Sequence, residues 1–181
     1  STNNFTSSLK TAAAAIGITF GVSKLVEFGK EIFNLAGKAD GIKRAFEKSF
    51  DDTALNKLRE ATRGTVGDLE LMRQAVRAEN FKIPLETLEK GFAFATRRAQ
   101  DTGESVDYLV NSIIDGIGRK STLVLDNLGI SATELQEEVR LVGDFGLAVG
   151  NIMDREMGKA GESVDTLGIK TSRLAAKWDN L

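Results

Sequence analysis

Two apolar stripes separated by a single glycine constrain this chain more than any other feature. Leu85, Leu88, Phe92, Ala95 and Ala99 recur at intervals of three and four residues. After Gly103, Val106, Leu109, Val110, Ile113 and Ile117 make a second set of the same kind. Such spacing puts each set on one face of a helix. The chain has one proline, Pro84, and few alternating apolar–polar runs of the kind strands use. An all-α fold is therefore expected: a multi-helix bundle of short helices, with a long N-terminal helix and a coiled-coil-like C-terminal helix. The 181 residues suffice for one sizeable helical domain with extensions. Three regions are expected: an N-terminal apolar and amphipathic helix over 1–39, a compact helical domain over 40–142, and C-terminal helices over 143–181. A first residue Ser1 and a helical pattern still running at Leu181 suggest a piece of a longer polypeptide.

Eighteen glycines are many for a helical chain, so they should punctuate helices or let them approach closely. From Ser8 to about Ala36 the pattern predicts a helix, with Ala13, Gly17 and Gly21 spaced by four as a small-residue row suited to close packing. That row has a plain helix-packing reading and a membrane-contact reading. Its uncharged run, Thr11 to Ser23, is thirteen residues, short of the roughly 20 a spanning helix needs. Gly37 and Gly41 predict a break or bend, followed by a short amphipathic turn carrying Ile42, Phe46 and Phe50. Asp51 is a plausible N-cap, with Phe50 and Leu55 as a hydrophobic staple. Gly64 should end that helix. Thr65 to Asp68 reads as the next start signal, ahead of a helix burying Leu69, Met72 and Val76. Pro84 suits a first helical position. Ser131 to Glu134 reads as a capping box, and Gly143 as a stop. The following helix carries Gly146 and Gly150 as a close-approach pair.

Composition excludes several chemistries. Cysteine and histidine are absent, so no disulfide framework and no thiolate or imidazole metal site can form. Net charge is −2, with +3 over the first fifty residues and −5 over the rest. No specific nucleic-acid binding is expected from that balance. GIGRKST invites a phosphate-loop reading, but Arg119 stands where glycine must precede the lysine, and a helix leads in. Gly116 and Gly118 are instead expected to end the helix in left-handed conformations, with Arg119 and Lys120 at its negative pole. Glu134, Glu137 and Glu138 are expected to lie on solvated faces or at caps, and Arg97 and Arg98 to pair with acidic side chains on the next helix, such as Asp107. Met72, Met153 and Met157 read as core fill. No catalytic residues and no cofactor are expected.

The run FATRRAQDTGESVDYLVNSIIDGIGRKSTLVLDNLGIS resembles a segment of phage and prophage tail tape measure proteins. The resemblance rests on Ala95 and Ala99, Gly103 to Ser105, Gly116 to Ser121, and Leu125 to Ile130. It extends from about Asp40 to Val142. The chain departs from the family at Thr122, where proline is frequent. The resemblance implies a structural, non-enzymatic virion protein assembled in the host cytoplasm. It would lie in the tail tube, help determine tail length and leave ahead of the DNA. Implied partners are further copies of itself, tail tube and tip or baseplate proteins, tail assembly chaperones, and transiently the host membrane. Within the motif, Gly116, Gly118, Arg119, Lys120, Asp126, Asn127 and Gly129 are expected to form a structural turn and an extended apolar loop over the helix ends. A membrane-active segment and a soluble helical adaptor are the alternatives.

Near the end, Val164, Leu167, Thr171, Leu174, Trp178 and Leu181 alternate spacings of three and four, as an a/d seam does. The seam spans under three heptads, so two readings stand: packing on the chain's own bundle, or self-association. Ala13, Gly17 and Gly21 are a second candidate for self-association.

Overall fold

The computed structural model describes the backbone of residues 22–159 and 167–180, and side chains of 33–159 and 170–180. Ala13, Gly17, Gly21, Val164 and Leu181 lie outside the described residues, as does the side chain of Leu167. Among the described residues there are nine helices and no strand. They are α1 (Val22–Glu47), α2 (Asp52–Ala61), α3 (Asp68–Asn80), α4 (Leu85–Thr102), α5 (Val106–Gly118), α6 (Thr122–Asn127), α7 (Ala132–Val142), α8 (Phe145–Lys159) and α9 (Leu167–Asp179). The chain divides into two units, Ser1–Gly41 and Ile42–Leu181.

Helix α1 continues through Gly37 and Gly41, where a break was expected. Neither glycine takes a positive φ. A glycine inside a helix costs about 1 kcal/mol relative to alanine, which is a weakening and not a stop.

In the second unit α4 is central, packing against α2, α3, α5 and α8. Its stripe is as expected at Leu88, Phe92 and Ala95, all buried, with Leu85 and Ala99 half-buried. Phe94, Thr87 and Thr96 are buried as well, so α4 meets neighbours on more than one side. Helix α5 buries Leu109, Val110, Ile113, Ile114 and Ile117, and packs on α4, α3, α6 and α8. Burying side chains of this size contributes about 1.5–3 kcal/mol each before entropy is charged. Phe46 is buried at the start of the unit and its ring stacks on Phe50, with centroids 5.1 Å apart.

Local signals set several ends. Asp51 caps α2, its Oδ1 accepting from Ala54 N at 2.9 Å. Gly103 and Gly143 end α4 and α7 at φ 77° and 76°. Asp144 Oδ1 accepts from Leu147 N at 2.7 Å and starts α8.

Other starts differ from expectation. Thr65 does not cap α3. Its hydroxyl donates to Thr62 O, and Gly67 occupies the cap position. The first backbone donor of α3, Asp68 N, is met by Asn180 Oδ1 at 2.8 Å, from the far end of the chain. Helix α3 buries Leu71, Gln74, Ala75 and Ala78, while Met72 and Val76 are half-buried and Leu69 is exposed. Its inward face is thus rotated from the expected one of Leu69, Met72 and Val76, toward Leu71, Ala75 and Ala78. Pro84 precedes α4 with ψ 145° instead of beginning it.

Candidate docking surfaces

The stretch from Gly116 to Ile130 is a helix end, a turn and a second short helix. Gly116 and Gly118 are not left-handed. Both lie within α5, and the left-handed residue is Lys120, with φ 51°. Lys120 N donates to Ile117 O at 3.1 Å and Ser121 N to Gly116 O at 2.8 Å, the paired bonds that satisfy a helix's last carbonyls. Arg119 is the C-cap residue. The two glycines serve contact. A Cβ on Gly116 would lie 2.7 Å from Leu125 Cδ2, and one on Gly118 would run into Phe81 Cγ.

The expected extended loop is helix α6. Ser121 Oγ accepts from Val124 N to start it, and Asp126 and Asn127 are inside it. Six residues cannot sustain a helix alone. Here Leu125 is fully buried against α5, and Leu128 and Ile130 are buried beyond it. Gly129, at φ 85°, closes the turn, and a Cβ there would lie 2.7 Å from Arg98 Nη2.

A groove of about 580 Å³ runs along the outer face of α5. Glu104, Tyr108, Ser112, Asp115 and Arg119 line its length, with Arg98 and Thr102 from α4, Val124 and Asn127 from α6, and Leu128 just after it. Asp115 is engaged from the other side, 2.7 Å from Arg77 Nη2, which also hydrogen-bonds Asn111 through its other terminal nitrogen. Arg97 pairs with Asp101 at 3.6 Å, and Arg98 lies over Gly129, so neither follows the expected pairing with Asp107.

A second surface is on α9. The helix is held by one side: Ala176 is buried, Arg173 Nε donates to Arg63 O at 2.9 Å, and Asn180 reaches Asp68. Thr171, Leu174 and Trp178 of the seam are exposed, the last two at 58% and 69%. These three residues are therefore not what packs α9 on the body.

The remaining charged clusters are structural. Glu138, expected to be solvated, is only 8% exposed and accepts from Asn151 Nδ2 and Arg155 Nη1, both at 2.7 Å. The Asn151 hydrogen bond, and then that of Arg155, hold its carboxyl below the usual range. Arg155 also takes Glu134 Oε1 at 3.0 Å. The capping box is accordingly half made: Ser131 Oγ accepts from Glu134 N at 3.4 Å, while the Glu134 side chain serves α8. Lys90 bridges Glu86 and Asp154 at 2.9 Å each, and these two hydrogen bonds, Asp154 first, raise its pKa. Sequence reasoning missed both clusters. Their partners lie on different helices, and only the helix register brings them together.

Among the described residues, no group of acidic side chains could hold a metal ion, and no helix is long and apolar enough to cross a membrane. Comparison with protein families, curated proteins and solved structures found no match.

Proposed function

We propose that this chain is a structural, non-enzymatic segment of a phage tail tape measure protein, a folded body from which a self-associating helix projects. The observation that carries the reading is the exposed a/d seam of α9, held to the body by its opposite side. An apolar heptad face left outside a packed bundle is a surface for another helix. The sequence resemblance supplies the tail context. Its residues are those that set the α5–α6 corner: Gly116 admits Leu125, and Gly129 admits Arg98. A glycine-punctuated body of short helices suits a terminal anchor better than an extended ruler, which would gain about 1.5 Å per residue along an unbroken helix. The body would dock at the tip or baseplate end, and the seam would join copies along the tail axis.

The seam also favours an orientation. With Leu174 at d and Trp178 at a, Lys170 and Lys177 fall at g, and Gly168 and Ala175 at e. Parallel helices set g against e, so lysine stems would cover small residues. Antiparallel helices set g against g, and lysine would face lysine, which is repulsive.

Peptide mass spectrometry of purified tailed particles tests the assignment. Peptides between Gly64 and Arg140 in stoichiometric amount with tail proteins support it, and their absence from particles while the protein is abundant in lysate refutes it. For the seam, Leu174→Asp should reduce the solution mass to that of one chain. An unchanged mass would refute self-association through α9.

A further inference from the structure

The groove along α5 supports a binding function that does not depend on a role in a tail. Two guanidinium groups line it, those of Arg98 and Arg119, and neither has an ion-pair partner among the described residues. Arg98 lies over the Gly129 turn, where a Cβ would come within 2.7 Å of its Nη2. Of the two carboxylates in the groove, Asp115 is already engaged by Arg77, and Glu104 stands at the outer end, before the cap of α5. The middle and far end are therefore cationic. Buried Leu109 and Leu128 contribute to the lining beneath. The groove follows the thirteen residues of α5, about 20 Å at 1.5 Å per residue, enough for roughly three turns of a second helix.

We propose that this groove binds an acidic amphipathic helix of a partner protein, with carboxylates on Arg98 and Arg119 and an apolar edge over Leu109 and Leu128. Arginine suits that task because its planar fork takes a carboxylate through two hydrogen bonds. A helix laid in a groove by a few spaced anchors is a recurrent recognition mode. The exposed α9 of a second copy is a poor occupant, since Lys170 and Lys177 flank its apolar face with charge of the same sign. Nucleic acid is disfavoured too: two cations beside a carboxylate make a short phosphate track.

The test is a titration of the whole chain with a fluorescent helical peptide of about 14 residues, leucines on one face and glutamates beside them. A peptide with lysines for the glutamates and a DNA duplex serve as comparators. The glutamate peptide should bind and shift the amide resonances of Ser112 and Asn127. Arg119→Glu, an exposed change whose folding circular dichroism can verify, should weaken binding at least tenfold, and Arg98→Gln similarly. No binding at millimolar peptide, equal binding by folded Arg119→Glu, equal binding of the lysine peptide, or tighter binding of the duplex would each overturn the proposal.

Discussion

Substituting Gly116 with alanine tests the α5–α6 corner, because two opposed effects can be separated there. In α5 the new methyl would meet Leu125 Cδ2 at 2.7 Å and Cγ at 2.8 Å. Leu125 is fully buried, so it cannot swing into solvent to make room. Overpacking of this kind costs about 1–3 kcal/mol. Against it, alanine is better than glycine inside a helix by about 1 kcal/mol. The expected net is a loss of about 0–2 kcal/mol, the difference of those two terms, or up to about 8 °C in Tm for a chain of this size. The sign alone is a weak test, so the background should be changed. In Leu125→Ala, itself destabilising by about 2–5 kcal/mol, the obstacle is gone, and Gly116→Ala should now stabilise by about 1 kcal/mol. Urea denaturation followed by helical circular dichroism would measure all four variants. Equal effects of Gly116→Ala in both backgrounds would show that Leu125 does not sit over Gly116, and the account of this corner would fail. Gly118→Ala is a useful companion. The Phe81 ring it meets is partly exposed, but the contact is at Cγ beside the Phe81 backbone, so relief needs the whole side chain to rotate and this change should cost at least as much as Gly116→Ala.

Three further outcomes are expected. Lys82→Gly and Lys120→Gly should each stabilise by about 0.5–1 kcal/mol in thermal melts, since both lysines hold left-handed backbone that glycine adopts without strain; destabilisation would contradict the described turns. Asn180→Ala should cost about 0.5–1 kcal/mol by removing the acceptor for Asp68 N, with faster hydrogen exchange at that amide; unchanged exchange would detach α9 from the body. Glu138 has a folded pKa below its ordinary 4.5, so its contribution is present above 4.5 and is lost as pH falls through the lower folded value. Glu138→Gln should therefore lower stability at neutral pH, and its difference from the native chain should shrink as pH falls below 4.5. A difference independent of pH would refute the pairing with Asn151 and Arg155.

Local chemistry made much of this fold legible beforehand. Asp51 and Ser131 cap helices because an oxygen two or three residues from a free N–H needs no distant partner. Gly103 and Gly143 stop helices because left-handed backbone is cheap for glycine. The stripes of α4 and α5 were visible because their apolar residues are large and regularly spaced. The candidate groove was not visible, since its lining comes from three helices joined by turns whose angles no local signal specifies.

What sequence alone determined was that the chain is helical, where several helices start and stop, and which large apolar residues line α4 and α5. Those properties depend on residues within a turn or two of one another. Tertiary structure decided the rest. It turned α3 toward Leu71 and Ala75, made a helix of the stretch after Ser121 by burying Leu125, used Gly116 and Gly118 for contact instead of for turning, and capped α3 with Asn180. It also left Leu174 and Trp178 facing outward. The physical reason is one of range. A cap or a left-handed turn is satisfied by neighbours in the chain, whereas burial and close approach depend on which surfaces meet, and that is settled only when the helices pack.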